Sequence, residues 1–242
     1  MKIENAVVLV TGANRGLGQV FARAALARGA RKVYAAVRDP ASVQLARVTP
    51  VKLDVTRPED VARAAAECGD VTLVINNAGI AHFGGFFADH SIDEARQQLE
   101  TNFFGPLRVS RAFAPILAAN GGGAILNVLS VASWLNGPLL GVYAATKSAA
   151  WGLTNGMRME LAAQGTQVTG LHVGFVDTDL TRDLDVPKLN PTAVVDAAFD
   201  GLEAGEAEIL VDDFTRAVKR GLSETPAIYV TGPQPVRVAE TA

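Results

Sequence analysis

The chain has 242 residues, 49% of them hydrophobic, with 22 Lys+Arg against 25 Asp+Glu and a formal net charge of −3. That length suits one α/β domain with a substantial core, and a balanced charge argues against a nucleic-acid partner, since nothing is in excess to neutralise a phosphate backbone. The single Cys68 excludes an internal disulfide and a cysteine-clustered zinc site, the apolar run after Asn5 is too short for a signal h-region, and no long uninterrupted apolar stretch offers a membrane span. The expectation is a soluble, cytoplasmic, globular protein.

Short Val/Ile/Leu-rich runs alternate with helical segments along the chain. A first strand is predicted over 6–10, followed by a helix over 18–28, a strand over 32–37, a strand over 50–53 and a helix over 58–67. A fourth strand over 71–75 precedes a long helical segment over 91–119. Ser91 and Glu94 stand at capping-box spacing at its start, and Gly105-Pro106 predicts a break within it. A strand over 124–129, a helix over 142–163, a strand over 168–173, a helix over 191–203 and a seventh strand over 207–211 complete the pattern. A further helix is read over 214–222, and Pro226, Pro233 and Pro235 argue for an irregular tail. This alternation predicts a doubly wound, Rossmann-like α/β fold, with a parallel sheet of about seven strands and helices on both faces. No linker or repeat divides the chain, so residues 1–242 read as one domain with an atypical segment over 211–242.

Thr11-Gly12-Ala13-Asn14-Arg15-Gly16-Leu17-Gly18 follows the first strand and opens a helix. Glycines at such a turn permit positive φ and let backbone N–H groups approach a pyrophosphate at the helix N-terminus. The second strand ends at Val37-Arg38-Asp39, where an adenosine ribose would lie. Arg38, with Arg15 from the glycine loop, favours a 2′-phosphate and hence NADP(H) over NAD(H). The alternative is that both are ordinary solvated arginines, with Asp39 opposing them.

Tyr143 and Lys147 lie one turn apart on a predicted helix, so phenol and ammonium share a face. A neighbouring cation favours the phenolate, whose ordinary pKa of about 10 is too high for proton exchange at neutral pH. Ser130 closes the fifth strand at the sheet edge where ligands bind in such folds. Asn102 lies mid-helix, an unfavourable place for Asn unless its side chain is used, and Asn76-Asn77-Ala78-Gly79 follows the fourth strand.

Across roughly residues 3–211 the chain resembles the short-chain dehydrogenase/reductase family. The resemblance is carried by Thr11–Gly18, Asp54, Asn76–Gly79, Asn102, Ser130 thirteen residues before Tyr143, and Lys147. It implies an NAD(P)(H)-dependent carbonyl reductase or alcohol dehydrogenase. Tyr143 would be the general acid or base, and Ser130 would hold the substrate oxygen, with Ser133 as a rival. Lys147 would bind the nicotinamide ribose and lower the phenol pKa, while Asn102 would hold a water that relays protons to Lys147. Asp54 would meet the adenine; Gly12, Asn14, Arg15, Gly16, Leu17, Gly18, Arg38, Val55, Asn77, Ala78, Gly79, Gly174, Val176 and Thr178 would line the rest of the cofactor site. The family's usual Pro-Gly after the sixth strand is Val173-Gly174 here, which loosens the turn, and Tyr229–Gly232 only faintly resembles its usual tail.

No metal is implied, because His82, His90 and His172 lack ligand spacing; His172 reads as a packed strand residue. His82, Phe83, Phe86 and Phe87 in one loop, with Trp134, Leu135, Leu139 and Leu140 in another, suggest an apolar pocket for a ketone, aldehyde or alcohol with an apolar or aromatic body, with a polar substrate left open by Asp177, Asp179 and Arg182. Substrate contacts are expected from His82, Ser130, Trp134 and Leu140. A homodimer or homotetramer is expected by the same resemblance. A non-enzymatic NADP(H)-sensing regulator, an NAD-preferring dehydrogenase and a sugar-nucleotide epimerase are the competing readings. The first has no use for the Ser/Tyr/Lys set, and the last usually carries a larger C-terminal region.

Overall fold

All five side chains of β1 (Val7–Thr11) are buried, as expected of a strand covered on both faces. Val8 and Val10 belong to one apolar cluster, and Val7 and Leu9 to a second cluster on the opposite face of the sheet. The computed structural model describes residues 1–87 and 92–232.

The remaining elements follow in chain order: α1 (Gly16–Ala27), β2 (Lys32–Val37), β3 (Thr49–Lys52), α2 (Pro58–Glu67), β4 (Leu73–Asn76), α3 (Ile92–Leu99), α4 (Gly105–Ala119), β5 (Ala124–Val128), α5 (Gly141–Glu160), β6 (Gln167–His172), α6 (Pro191–Ala204), β7 (Glu208–Leu210), α7 (Asp213–Gly221) and the single turn α8 (Ile228–Thr231). The seven expected strands form one parallel sheet in the order β3-β2-β1-β4-β5-β6-β7. Pro50, which has no N–H to give, is tolerated because β3 is an edge strand. On one face Phe21 of α1 meets Phe199 of α6 edge-on at 5.5 Å between centroids, and burying each ring contributes about 2–3 kcal/mol. On the other face Val61 of α2, Phe113 and Leu117 of α4 and Met157 of α5 complete the second cluster.

The chain leaves β1 toward β2 and β3 on one side, and resumes with β4 on the other. The carboxyl ends of β1 and β4 therefore flank a crevice at the point where strand order reverses, the place where such folds bind ligands.

The long helix expected over 91–119 is interrupted earlier than Gly105-Pro106. Glu100–Phe104 forms a π-helical turn between α3 and α4, with the Gly105 N–H donating to Glu100 O. Pro106 has no N–H to return to Asn102, so the ladder loosens around Asn102. The capping residue expected at Ser91 lies outside the described residues, as do His90, Pro233 and Pro235. The helix expected from Gly18 starts two residues earlier, at Gly16. The helix expected over 214–222 forms as α7, and the single turn α8 adds order after Pro226, where an irregular tail was expected.

Candidate active site

The crevice opens as a cavity of about 950 Å³ that runs from the β2 end to α7. At its centre Thr11 ties the β1–α1 loop to the β4 end. Its Oγ1 accepts from the N–H groups of Asn77 and Ala78, both at 3.0 Å, and Asn77 Nδ2 donates to Thr11 O at 2.9 Å. Gly12 adopts φ +68° in this loop, a conformation that a side chain disfavours. Arg15 precedes α1 without a side-chain cap, and no acid stands in the first turn. The N–H groups of that turn, at the positive end of the helix, therefore remain for an anion, and Gly16 and Leu17 line the cavity there.

Toward β2 the lining consists of Val37, Arg38, Asp39, Ser42, Leu53, Asp54 and Val55, together with Asn14. The Asp39 carboxylate accepts from Ala41 N at 3.0 Å and caps the short turn Pro40–Ser42. Among the described residues Arg38 has no ion-pair partner, whereas Arg15 reaches across the cleft to Asp179 at 3.5 Å. The two arginines do not stand alike. Asp54 Oδ1 accepts from Thr56 N and Oγ1, at 2.9 and 2.7 Å, which fixes the loop after β3 at this end of the cavity.

At the other end Ser130 follows β5 and begins a short turn, its Oγ accepting from Ala132 N at 3.1 Å. Tyr143 lies in the first turn of α5 with its phenol beside Ser130, whose Oγ donates to Val173 O at 3.4 Å. Desolvation in the cleft pushes the Tyr143 phenol up to about 12, against the lowering effect of Ser130. Lys147, one turn on, donates from Nζ to Val128 O at 2.9 Å, and burial lowers its pKa to about 8. Its Nζ is 5.6 Å from the Tyr143 ring centroid. The sequence led to a phenol pKa lowered by Lys147; in the protein alone burial dominates and moves it up.

Several expected residues stand elsewhere. Asn102 is buried and pinned, with Oδ1 accepting from Ile80 N at 2.9 Å and Nδ2 donating to Ile80 O at 2.8 Å and to Thr146 Oγ1 at 3.0 Å. Both amide hydrogens are thus used, and its side chain anchors the loop after β4 instead of reaching the cavity. Gly18 also lies beneath the lining, packed on Gly12. Trp134 turns into the core, where it stacks on His172 at 3.8 Å between centroids, so it does not face substrate. His82 sits beside Glu94, its Nδ1 at 3.9 Å from Oε1, and does not line the cavity. Ser133 is buried and does not line the cavity, whereas Ser130 does. Phe86 and Phe87 are exposed, whereas Phe83, Leu135, Leu139 and Leu140 do line the cavity.

Ala78, Gly79, Val173, Gly174, Val176 and Thr178 line the cavity between the two ends. The turn after β6 is held without its usual proline, because the Gly174 N–H donates to Asp212 Oδ2 at 3.0 Å. Asp212 also caps α7 through Thr215. Sequence reasoning missed Asp212, Leu180 and Phe214, the last two being partly exposed apolar residues on the cavity wall. Nothing local marks them, since they come from the segment where the family pattern is weakest.

A nicotinamide dinucleotide fits this arrangement, with an uncapped helix end beside close-packed glycines at one side and a hydroxyl pair with an ammonium at the other. Among the described residues no group of three or more His, Cys, Asp or Glu is placed to hold a metal. No described helix is long and apolar enough to cross a membrane.

Comparison with known proteins agrees with the geometry. Residues 6–188 match the family model of short chain dehydrogenases. A crystal structure of a short chain dehydrogenase from Burkholderia cenocepacia, in complex with NADP, is 40% identical, covers 97% of this chain and 100% of its own, and superposes with a TM-score of 0.92. Oxidoreductase BOA17 from Botryotinia fuckeliana is 32% identical, over 96% of this chain and 91% of its own length. Dehydrogenase/reductase SDR family member 7B from Bos taurus is 33% identical over 74% of this chain, and the match spans 60% of that longer protein. The chain belongs to the short-chain dehydrogenase/reductase family and is an NAD(P)(H)-dependent oxidoreductase of that type, acting on a small molecule.

Proposed function

We propose that the chain is an NADP(H)-preferring carbonyl reductase, or alcohol dehydrogenase in reverse, for ketones, aldehydes or secondary alcohols with an apolar or aromatic body. The observation that carries this reading is the Tyr143–Ser130 hydroxyl pair beside Lys147 at the apolar end of the cavity. When bound, the cofactor supplies or accepts the hydride. Every other task falls to this chain's residues.

Ser130 Oγ donates to the substrate oxygen and holds the carbonyl in a near-attack pose. Tyr143, kept protonated by its desolvated setting, gives its proton to that oxygen as negative charge develops there. Lys147 binds the nicotinamide ribose and, when charged, makes the phenol a stronger acid. Phe83, Leu135, Leu139, Leu140, Phe175, Leu180 and Phe214 surround this end of the cavity, and none of them can pair with a charged substrate. Arg38, without an ion-pair partner among the described residues and with Asp39 turned to its cap, supports a 2′-phosphate and so NADP(H). Gly12, Asn14, Arg15, Gly16, Leu17, Asp54, Val55, Asn77, Ala78, Gly79, Gly174, Val176 and Thr178 provide the remaining cofactor contacts. Gly18 and Asn102 act from beneath the surface by holding the loops.

Residues 1–242 act as one domain in this reading. Exposed Ile92, Leu99 and Phe104 on one helical stretch suit a homodimer or homotetramer, which sedimentation measures. The free, buried Cys68 suits a cytoplasmic setting.

The test is NADPH oxidation with a panel of carbonyl compounds. Tyr143→Phe is expected to lower kcat by about 10²–10⁴-fold with NADPH binding intact. Full activity in that variant overturns the proton role, and equal turnover of small charged keto acids and aryl ketones overturns the substrate class.

A further inference from the structure

We propose that Asp179 is a specificity-determining residue for the cofactor, because it competes with a 2′-phosphate for Arg15; this rests on the reading of Arg15 and Arg38 as the partners of that phosphate. Three carboxylates line the cavity among the described residues: Asp39, Asp54 and Asp179. The first two are turned to their own loops, Asp39 to Ala41 N and Asp54 to Thr56. Asp179 stands in the short turn Asp179–Thr181 after β6 and reaches toward the glycine loop, where its Oδ2 meets Arg15 at 3.5 Å. The pair spans the cleft between segments 164 residues apart in the chain.

Arg15 and Arg38 are the two arginines that line the cavity, and they differ in one respect. Arg38 has no ion-pair partner among the described residues, so its charge is available to an incoming anion. Arg15 is already engaged, and among the described residues Asp179 is the carboxylate it meets. Asp179 has a second cation in Arg182, three residues on, which contacts its Oδ1. Asp179 therefore stays neutralised when Arg15 leaves it. Arg15 can be drawn away without stranding a bare carboxylate, at the cost of one ion pair.

That cost falls on one cofactor only. A 2′-phosphate carries a charge of about −1.5 to −2 at pH 7 and takes a guanidinium through two parallel hydrogen bonds, which outcompetes a single 3.5 Å contact with a carboxylate. NAD(H) presents an uncharged hydroxyl at that place and leaves Arg15 with Asp179. The pyrophosphate is common to both cofactors and cancels in the ratio of their affinities. Asp179 thus weakens NADP(H) binding selectively and holds the preference for it below what Arg15 and Arg38 could reach. Both side chains are largely open to solvent, 68% for Arg15 and 37% for Asp179, so the pair is screened. An ion pair of that kind corresponds to about a two- to fivefold change in affinity.

The experiment titrates the full-length protein with NADPH and with NADH at low ionic strength, following nucleotide fluorescence, and reads the ratio of the two Kd values. Asp179→Asn is expected to tighten NADPH about two- to fivefold and to leave NADH unchanged. Arg182→Ala leaves Asp179 to Arg15 alone, and the ratio should move in the opposite direction. In an Arg15→Ala background Asp179→Asn should no longer shift the ratio, since the competition has lost its object. An unchanged ratio in Asp179→Asn overturns the proposal. So does an equal tightening of both cofactors, which marks a general field effect, or a weakening of both, which marks a clasp over the bound nucleotide. If Asp179→Asn does not fold, Arg182→Ala carries the test, and an unchanged ratio there is equally fatal. Arg15→Ala alone separates the two readings. A ratio unaffected by Arg15→Ala overturns the placing of Arg15 at the 2′-phosphate; a ratio that falls there but is untouched by Asp179→Asn overturns only the role of Asp179.

Discussion

Gly18 rests on Gly12 so closely that a Cβ at position 18 would lie 2.2 Å from the Gly12 carbonyl oxygen and 2.5 Å from Asn77 Nδ2. The helix α1 can approach the sheet, and its free N–H groups can approach a pyrophosphate, only because position 18 has no side chain. Gly18→Ala is therefore expected to displace the start of α1. Overpacking of this kind costs about 1–3 kcal/mol, which lowers Tm by roughly 2–12 °C in a chain of this size. NADPH affinity should fall with it. Calorimetry and titration check both, and an unchanged Tm would mean that the loop yields at no cost.

Arg38 carries the cofactor preference. Arg38→Asp removes the cation that lines the β2 end of the cavity and has no ion-pair partner among the described residues, and an acid there hydrogen-bonds ribose hydroxyls while repelling a 2′-phosphate. The ratio of kcat/KM for NADPH over NADH is expected to fall at least tenfold. No change in that ratio would leave Arg38 an ordinary surface residue.

Lys147 sets a pH dependence of stability. Its folded pKa is lowered from 10.5 to about 8, so the folded state binds the proton less tightly than the unfolded chain does. The penalty is fully present below about pH 8, and it is relieved as pH rises from 8 toward 10.5. Its full size is about 3 kcal/mol. Lys147→Met should therefore raise Tm by a few degrees at pH 7 and abolish activity, with the gain in Tm shrinking by pH 10. A gain that is the same at both pH values contradicts the assignment. Tyr143 has the opposite sense, since its raised pKa adds stability that is lost only above pH 10.

Phe214 closes the apolar end from α7 and is 46% exposed, so its removal leaves the core intact. Phe214→Ala is expected to raise KM for aryl ketones by roughly tenfold, with little change in Tm or in NADPH binding. Unaltered KM across aryl and small aliphatic ketones would place the substrate elsewhere in the cavity.

Much of this was legible before any tertiary contact was known. The seven strands appear as apolar runs because a parallel strand is buried on both faces, as β1 is throughout. Tyr143 and Lys147 share a helix face because the helical repeat requires it. Ser130 reaches the same place because it follows β5 at the carboxyl edge of the sheet. The residues that stand elsewhere than expected are those whose side chains had two destinations. Asn102 was marked as unusual in a helix, but nothing in its neighbours told that Ile80 and Thr146 would take its amide.

The amino-acid sequence by itself determined the strand order along the chain, the dinucleotide loop and the spacing of the hydroxyl–phenol–ammonium set, because each depends on local geometry over a few residues. Tertiary structure alone decided where side chains from distant segments meet. It turned Trp134 inward onto His172, tied Gly174 to Asp212, set Arg15 against Asp179 and brought Phe214 to the cavity. Those partners are separated by tens to more than a hundred residues in the chain. Each is chosen by packing and hydrogen-bond satisfaction in the folded state, which leaves no periodic trace in the sequence.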